Sequence, residues 1–167
     1  MILYLTLLAV ATALVALVGG FLVAFLLVVM PGLARLPDAG FVRGFQVIDG
    51  VIQDGEPRFG LLWLGSALAV LVAAIAGWFV LPTLEAGLVT LAAGLFLIGL
   101  QLPTFVRNVP LNNALQRVEV DNATPDELAS ARRDFELTWN RWNTLRTAVA
   151  LISTAVLLVV LVRVSPA

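Results

Sequence analysis

Residues 2–29 contain no charged side chain. As a helix rising about 1.5 Å per residue, this run would be about 40 Å long, so in a hydrocarbon layer about 30 Å thick it must tilt or protrude. A backbone in lipid has to satisfy its own N–H and C=O groups, which leaves helices and closed barrels, and a continuous apolar run without alternation points to a helix. Three further runs occur, at roughly 61–81, 84–106 and 148–162. The last is short unless a helical approach precedes it. With 60% apolar residues and a mean hydropathy of +1.00, the chain lies far outside the range of a soluble domain. A secretory signal would need a basic residue before the first run and an apolar core about half as long. The expected fold is therefore all-α, a four-transmembrane-helix bundle forming a single membrane domain over 1–167.

Lipid gives helices no hydrophobic reason to associate, so close packing should come from small residues repeated on one face. Ala9, Ala13, Ala16, Gly20 and Ala24 provide such a stripe in the first span, and Gly65, Ala69, Ala73 and Gly77 in the second. Gly87 and Gly94 continue it in the third, Ala150 and Thr154 in the fourth. Orientation is set by arginine. Arg35, Arg43 and Arg58 lie between spans one and two, and Arg107, Arg117, Arg132, Arg133, Arg141 and Arg146 between three and four, against Arg163 alone on the other side. The positive-inside rule puts both long connections in the cytoplasm and both termini outside. The expected location is the plasma membrane of a bacterium.

Both connections carry helix signals. After Met30, Pro31 and Gly32 break the first span, Asp38 stands as an N-cap for a helix over 38–54 that Gly55 ends. Phe41, Phe45, Ile48 and Ile52 share its apolar face, with Arg43, Gln46, Asp49, Gln53 and Asp54 on others, so the helix is amphipathic and lies at the membrane surface or against the bundle end. Pro110 either kinks the third span (84–107) or begins a short helix, 110–118. Thr124-Pro125-Asp126-Glu127 reads as a capping box with proline at N1, and no breaker intervenes before Ser165-Pro166. The fourth helix (125–163) thus projects from the membrane as a long extension, with Leu128, Phe135, Trp139, Trp142 and Val149 roughly on one face. The second span is placed at 60–81.

Polar side chains at membrane depth need partners. Gly87, Gly94, Gln101 and Asn108 are spaced by seven, with Thr104 on the same face; Asn140, Asn143, Thr147, Ala150 and Thr154 align on the fourth helix, with Arg146 one turn from Asn143. Gln46, Asp49 and Gln53 can approach from the amphipathic helix. A polar pocket at the cytoplasmic end of the bundle results, in which Arg146 would pair with Asp49 or Glu136. Single amides and threonines between spans commonly serve only as packing glue, and Trp139 and Trp142 as interfacial anchors, but glue does not require so many from several segments.

What the chain lacks narrows the chemistry. It has no cysteine and no histidine, and every basic side chain is arginine. Disulfides, thiolate chemistry and imidazole bases or ligands are excluded, and no paired-carboxylate motif suggests a metal site. A net charge of −1 gives no reason to expect nucleic acid as a partner. The expected partners are the lipid bilayer and a hydrophobic small molecule, with a homo-oligomer left open.

The order Met30-Pro31-Gly32-Leu33, Phe45-Gln46-x-Ile48, Asn108-Val109-Pro110-Leu111-Asn112 and Trp139-x-x-Trp142-Asn143-x-x-Arg146-Thr147 resembles the anthrone oxygenase-like family of short four-helix membrane proteins, over nearly the whole chain. The resemblance implies oxidation of a polycyclic aromatic anthrone by dioxygen to a quinone, without a defined cofactor. Such a reaction needs a base and groups to hold the enolate. Asp49 is the candidate base, with Arg146, Asn143 and Asn108 around the anion. Trp139 or Trp142 would lie against the rings, and Gln46, Gln101, Thr104, Asn112 and Thr147 complete the substrate wall. Relatives often carry asparagine at the position of Asp49. Two other classes share these features: a membrane protein that binds a hydrophobic ligand or lipid without catalysis, and an assembly subunit.

Overall fold

The computed structural model describes residues 1–165. Its described residues form five helices: α1 (Ile2–Leu33), α2 (Asp38–Gln53), α3 (Pro57–Val80), α4 (Thr83–Gln116) and α5 (Pro125–Val164). All but α2 are long and apolar enough to cross a membrane. The outer surface carries exposed apolar side chains such as Leu27, Leu64, Phe79, Ile98 and Leu151. In water that surface would be an aggregation hazard, whereas in a bilayer it is the lipid contact. The protein is an all-α membrane protein with one amphipathic helix and one long helical extension.

The spans pack through one core, in which Leu8, Val15, Val18, Val70, Val89, Phe96 and Leu157 are fully buried. The small-residue stripe expected on α1 is not the interface: Ala9, Ala13, Ala16, Gly20 and Ala24 are exposed. The buried face is instead Leu8, Ala11, Thr12, Val15, Val18, Gly19 and Leu22. Close approach occurs only at a few points. A Cβ on Gly19 would stand 3.3 Å from that of Ala150, and one on Gly77 would stand 2.9 Å from the Tyr4 hydroxyl. Gly87 and Gly94, by contrast, meet nothing that a Cβ would touch. Larger side chains at the interfaces do the packing, so small residues are needed singly rather than as stripes.

Three turns of the spans are wide. Met30, Leu102 and Val109 each donate their N–H to the carbonyl five residues back, on Phe25, Leu97 and Thr104, in place of the usual four. In every case the next residue is a proline: Pro31, Pro103 and Pro110. Proline has no N–H to give, and its ring presses on the carbonyl four residues earlier. Opening the preceding turn to π-helical geometry relieves that pressure without breaking the helix. Each inserted residue rotates the rest of the helix by about 100° relative to a regular α-helix. Pro110 stands in the first turn of an α-helical segment, Val109–Gln116, that continues from the wide turn without a break, so α4 runs on to Gln116. The same rotation takes Thr104 and Asn108 inward while Gly87 and Gly94 stay off the buried face.

A second core caps one end of the bundle. Phe41, Val42 and Phe45 of α2 pack with Phe25, Met30, Leu115, Leu128, Phe135 and Trp139. Asp38 is not the cap of α2; Pro37 holds that position and Asp38 is the first helical residue. Its carboxylate is taken by Arg132, which also bonds Glu136 and the carbonyls of Ala34 and Leu36. The Arg132 guanidinium stacks over Phe41 at 4.6 Å. One side chain of α5 thus ties down the linker between α1 and α2. Gly55, with φ of +84°, comes after α2 in the left-handed conformation that glycine adopts without strain. Thr124 and Glu127 close a reciprocal capping box at the start of α5.

Because Arg132 makes charge-assisted bonds to both carboxylates and two backbone carbonyls, Arg132→Ala is expected to destabilise the cap by about 2–4 kcal/mol. Thermal unfolding in detergent with α2 proteolysis as the local readout checks this. Wild-type protection of α2 would refute the latch.

Candidate functional site

Where the two cores meet, the spans leave a cavity of about 300 Å³. Its walls are aromatic: Phe21 and Phe25 of α1, Phe45 of α2, Phe59 and Trp63 of α3, Phe105 of α4 and Trp139 of α5. The rings support one another, with Phe59 and Trp63 stacked at 5.4 Å and Phe45 edge-on to Trp139 at 5.6 Å. Such walls suit a flat apolar ligand. Against them stand Asp49, Thr104, Asn108, Asn112 and Arg146.

Arg146 is 3% exposed and, among the described residues, pairs with no carboxylate. Its Nη1 donates to Thr104 Oγ1 at 2.8 Å and its Nη2 to Asn143 Oδ1 at 3.2 Å, while Nε has no partner. The guanidinium lies 5.8 Å from the Trp139 ring. Asn108, 2% exposed, has neither its amide nitrogen nor its oxygen bonded. A buried unpaired amide and an unneutralised charge are each costly, and both stand on one cavity wall.

The expected ion pair of Arg146 with Asp49 or Glu136 does not form. Glu136 is held by Arg132 at 2.7 Å, and lies about 15 Å along the helix from Arg146. Asp49 faces the interior, on the same stripe as Val42 and Phe45, and lines the cavity. Its Oδ1 accepts from Asn112 at 2.7 Å, and its Oδ2 accepts from Gln53 at 2.6 Å and Gln116 at 3.0 Å. Three neutral amides hold the carboxylate, of roughly four acceptor positions, so one on Oδ1 remains free. Asn112 is itself oriented by Trp139, whose Nε1 donates to Asn112 Oδ1 at 2.8 Å. A chain of contacts therefore runs from Asp49 through Asn112 and Trp139 to Arg146.

The structure thus brings together Asp49, Asn108, Arg146, Thr104, Asn112 and Trp139. The other sequence candidates stand apart from the cavity. Asn143 is buried behind Arg146, donating to the Leu22 carbonyl at 3.2 Å, and positions the guanidinium. Thr147 bonds back to the Asn143 carbonyl in its own helix. Gln46 donates to the carbonyls of Leu115 and Val118 and so fastens α2 to the end of α4. Gln101 makes only a long 3.5 Å contact with the Trp63 carbonyl. Trp142 lies outside, under Arg107 at 5.6 Å. Sequence reasoning missed Gln116, although it stands one turn after Asn112, and it missed the aromatic walls from α1 and α3, because no local pattern relates Phe21, Phe59 and Phe105. Among the described residues, no three carboxylates cluster as metal ligands.

Residues 50–156 match the family model described as Anthrone oxygenase, well over half of the chain, and the chain belongs to that family. It is a four-span membrane protein of the anthrone oxygenase family. The match takes in Asn108, Asn112, Trp139 and Arg146 but begins one residue after Asp49, leaving the Met30–Leu33 and Phe45–Ile48 motifs outside it. No curated protein and no solved structure matches the chain.

A site that holds a charge without a counter-ion is maintained at the expense of stability. Arg146→Met is therefore expected to leave thermal stability unchanged or raised, since it removes that charge while filling much of the same volume. A loss of more than about 3 kcal/mol would instead mark Arg146 as part of the structural framework.

Proposed function

We propose that the protein is a membrane oxidoreductase that oxidises a hydrophobic polycyclic aromatic, of the anthrone type, with dioxygen and without a resident cofactor. The observation that carries this reading is the pairing of unsatisfied Arg146 and Asn108 with the Asp49 carboxylate on the wall of one aromatic cavity. In an anthrone, a CH₂ flanked by two rings lies across the central ring from a carbonyl, so removing one C–H proton gives a phenolate-like enolate. Asp49 takes that proton through its free acceptor position. Arg146 and Asn108 hold the oxygen on which the negative charge develops, and a preorganised donor of this kind contributes about 3–4 kcal/mol to the barrier. Trp139 and the phenylalanines keep the rings in plane.

The electron-rich enolate supplies one electron to dioxygen, which removes the spin barrier that blocks direct reaction with a neutral hydrocarbon. The resulting radicals combine, forming a C–O bond, and the peroxide takes up the proton held by Asp49. Loss of the remaining C–H proton with cleavage of the O–O bond leaves a carbonyl and releases water. One oxygen atom enters the quinone, the other leaves as water, and the substrate carbon gives up four electrons in all.

A second reading has an observation in its favour. Three amides already bond Asp49, so the carboxylate could serve only to lock α2 to α4 around a cavity that stores a hydrophobic ligand. The two readings separate on Asp49→Asn. If Asp49 is the base, oxygen uptake with anthrone above the uncatalysed rate falls by about 10²–10⁴-fold while anthrone binding persists. Unchanged uptake removes Asp49 from the reaction, and binding without any uptake in the unmodified protein establishes the storage reading. The arginines of both long connections gather at the capped end and support a cytoplasmic side for it.

A further inference from the structure

We infer that the cavity is loaded sideways from the membrane, through a mouth between α3 and the π-helical half of α4, by flat aromatics dissolved at the boundary between acyl chains and headgroups. The inference rests on reading the cavity as an aromatic-binding site, as above. Helix α3 packs closely along the first half of α4, Thr83–Gly94, and far less against the wide turns beyond it. The two helices therefore part toward the capped end, and the cavity reaches the surface there. Of the lining residues, Phe105 and Gln53 are exposed and Ile52, Phe59, Val109 and Asn113 half-buried, so these form its rim, with Gln53 and Asn113 nearer the cap.

The surroundings of the mouth decide what it faces. Phe105 is 55% exposed, and its neighbours Leu102 and Val106 are exposed with it. Across the gap, Leu61 and Leu64 are exposed on α3. These side chains belong to the lipid-facing surface, so the mouth opens onto acyl chains. Its depth is set by length: Phe59 lies about 30 Å along α3 from Val80, one hydrocarbon thickness from the opposite surface. Arg58 and Arg107, both exposed, flank the two phenylalanines in sequence and mark the level of the headgroups. The aqueous side is closed by Gln53, whose Nε2 donates to Asn113 Oδ1 at 3.2 Å and to Asp49 Oδ2 at 2.6 Å.

A ligand with apolar rings and a polar edge concentrates at that depth. Entering from there, it never crosses water, and its polar edge is oriented toward Asp49 and Arg146 as it passes the rim. Dioxygen also dissolves preferentially in hydrocarbon, so the same mouth admits both reactants. Phe105 is then the residue that limits the width of the molecule admitted.

The chain has no native cysteine, which makes the mouth directly testable. F59C/F105C protein in phosphatidylcholine vesicles is bridged after folding with a short reducible bis-thiol reagent, exposed briefly to 2-azidoanthracene in the lipid, and flashed. Labelled residues are located by mass spectrometry. Bridging is expected to cut labelling of the cavity residues Trp63 and Trp139 at least tenfold. Labelling of lipid-facing Leu64 stays constant, and reduction of the bridge restores the cavity signal. The corresponding bridge in Q53C/N113C is expected to leave cavity labelling intact. Should the first pair disturb the aromatic cluster, L61C/V106C flanks the same gap. Cavity labelling indifferent to the α3–α4 bridge, or lost only with the 53/113 bridge, overturns the lateral mouth and leaves the proposed reaction standing. No cavity labelling in the unmodified protein overturns the aromatic-binding reading as well.

Discussion

A guanidinium buried in a membrane bundle must be hydrated, paired or desolvated at great cost, and Arg146 has found only two neutral acceptors, Thr104 and Asn143. Those contacts draw on three of the spans. Thr104 reaches Arg146 where α4 widens on either side of Pro103, and Asn143 is fixed by the Leu22 carbonyl of α1. Three of the four spans thus converge on one charge. Among the described residues no carboxylate pairs with Arg146, and Asn108 presents an unbonded amide from the same wall; on the proposed reading the two are left for an anion. The arrangement resembles an oxyanion site more than a structural ion pair, because a structural pair would have closed on itself.

The prolines explain how a helix in lipid can aim such groups. Leaving a carbonyl unbonded in hydrocarbon is prohibitive, so Pro103 and Pro110 cannot simply break α4. Widening the turn before each one lets the helix continue while rotating the next residues. The polar end of α4 is thereby turned onto α5, and its lipid-facing flank is drawn away from α3. One local consequence of a missing N–H accounts for both the placement of Asn108 and the gap beside Phe105.

Much of the architecture was legible in the sequence, since apolar length and capping chemistry are local properties. The four spans, the amphipathic α2 and the capping box at Thr124 belong to this kind. The inward placement of Asn108, Asn143 and Arg146 came from the intolerance of lipid for unpaired polar groups. Register was not legible. Spacing by seven assumed a regular α-helix as far as Asn108, and so aligned Gly87 and Gly94 with Asn108 when the wide turns before Pro103 and Pro110 intervene. Asp49 was set off the apolar face of α2 yet expected in the pocket; its place on the buried stripe itself was not legible, because its partners Asn112 and Gln116 lie some sixty residues away. Its inward place depends on that long-range amide cluster. The small-residue stripe on α1 misled for a related reason: alanine is equally at home facing lipid, so its spacing identifies no interface.

The central claim is that Arg146 and Asn108 await an anionic oxygen. It is tested most directly by the absorption spectrum of a bound hydroxylated anthracene, whose phenolate absorbs at longer wavelength than the neutral phenol. At a pH where the free compound in vesicles is neutral, the account predicts a phenolate spectrum on the wild-type protein and a neutral one on Arg146→Met. A neutral-phenol spectrum on both, with binding intact, would contradict it.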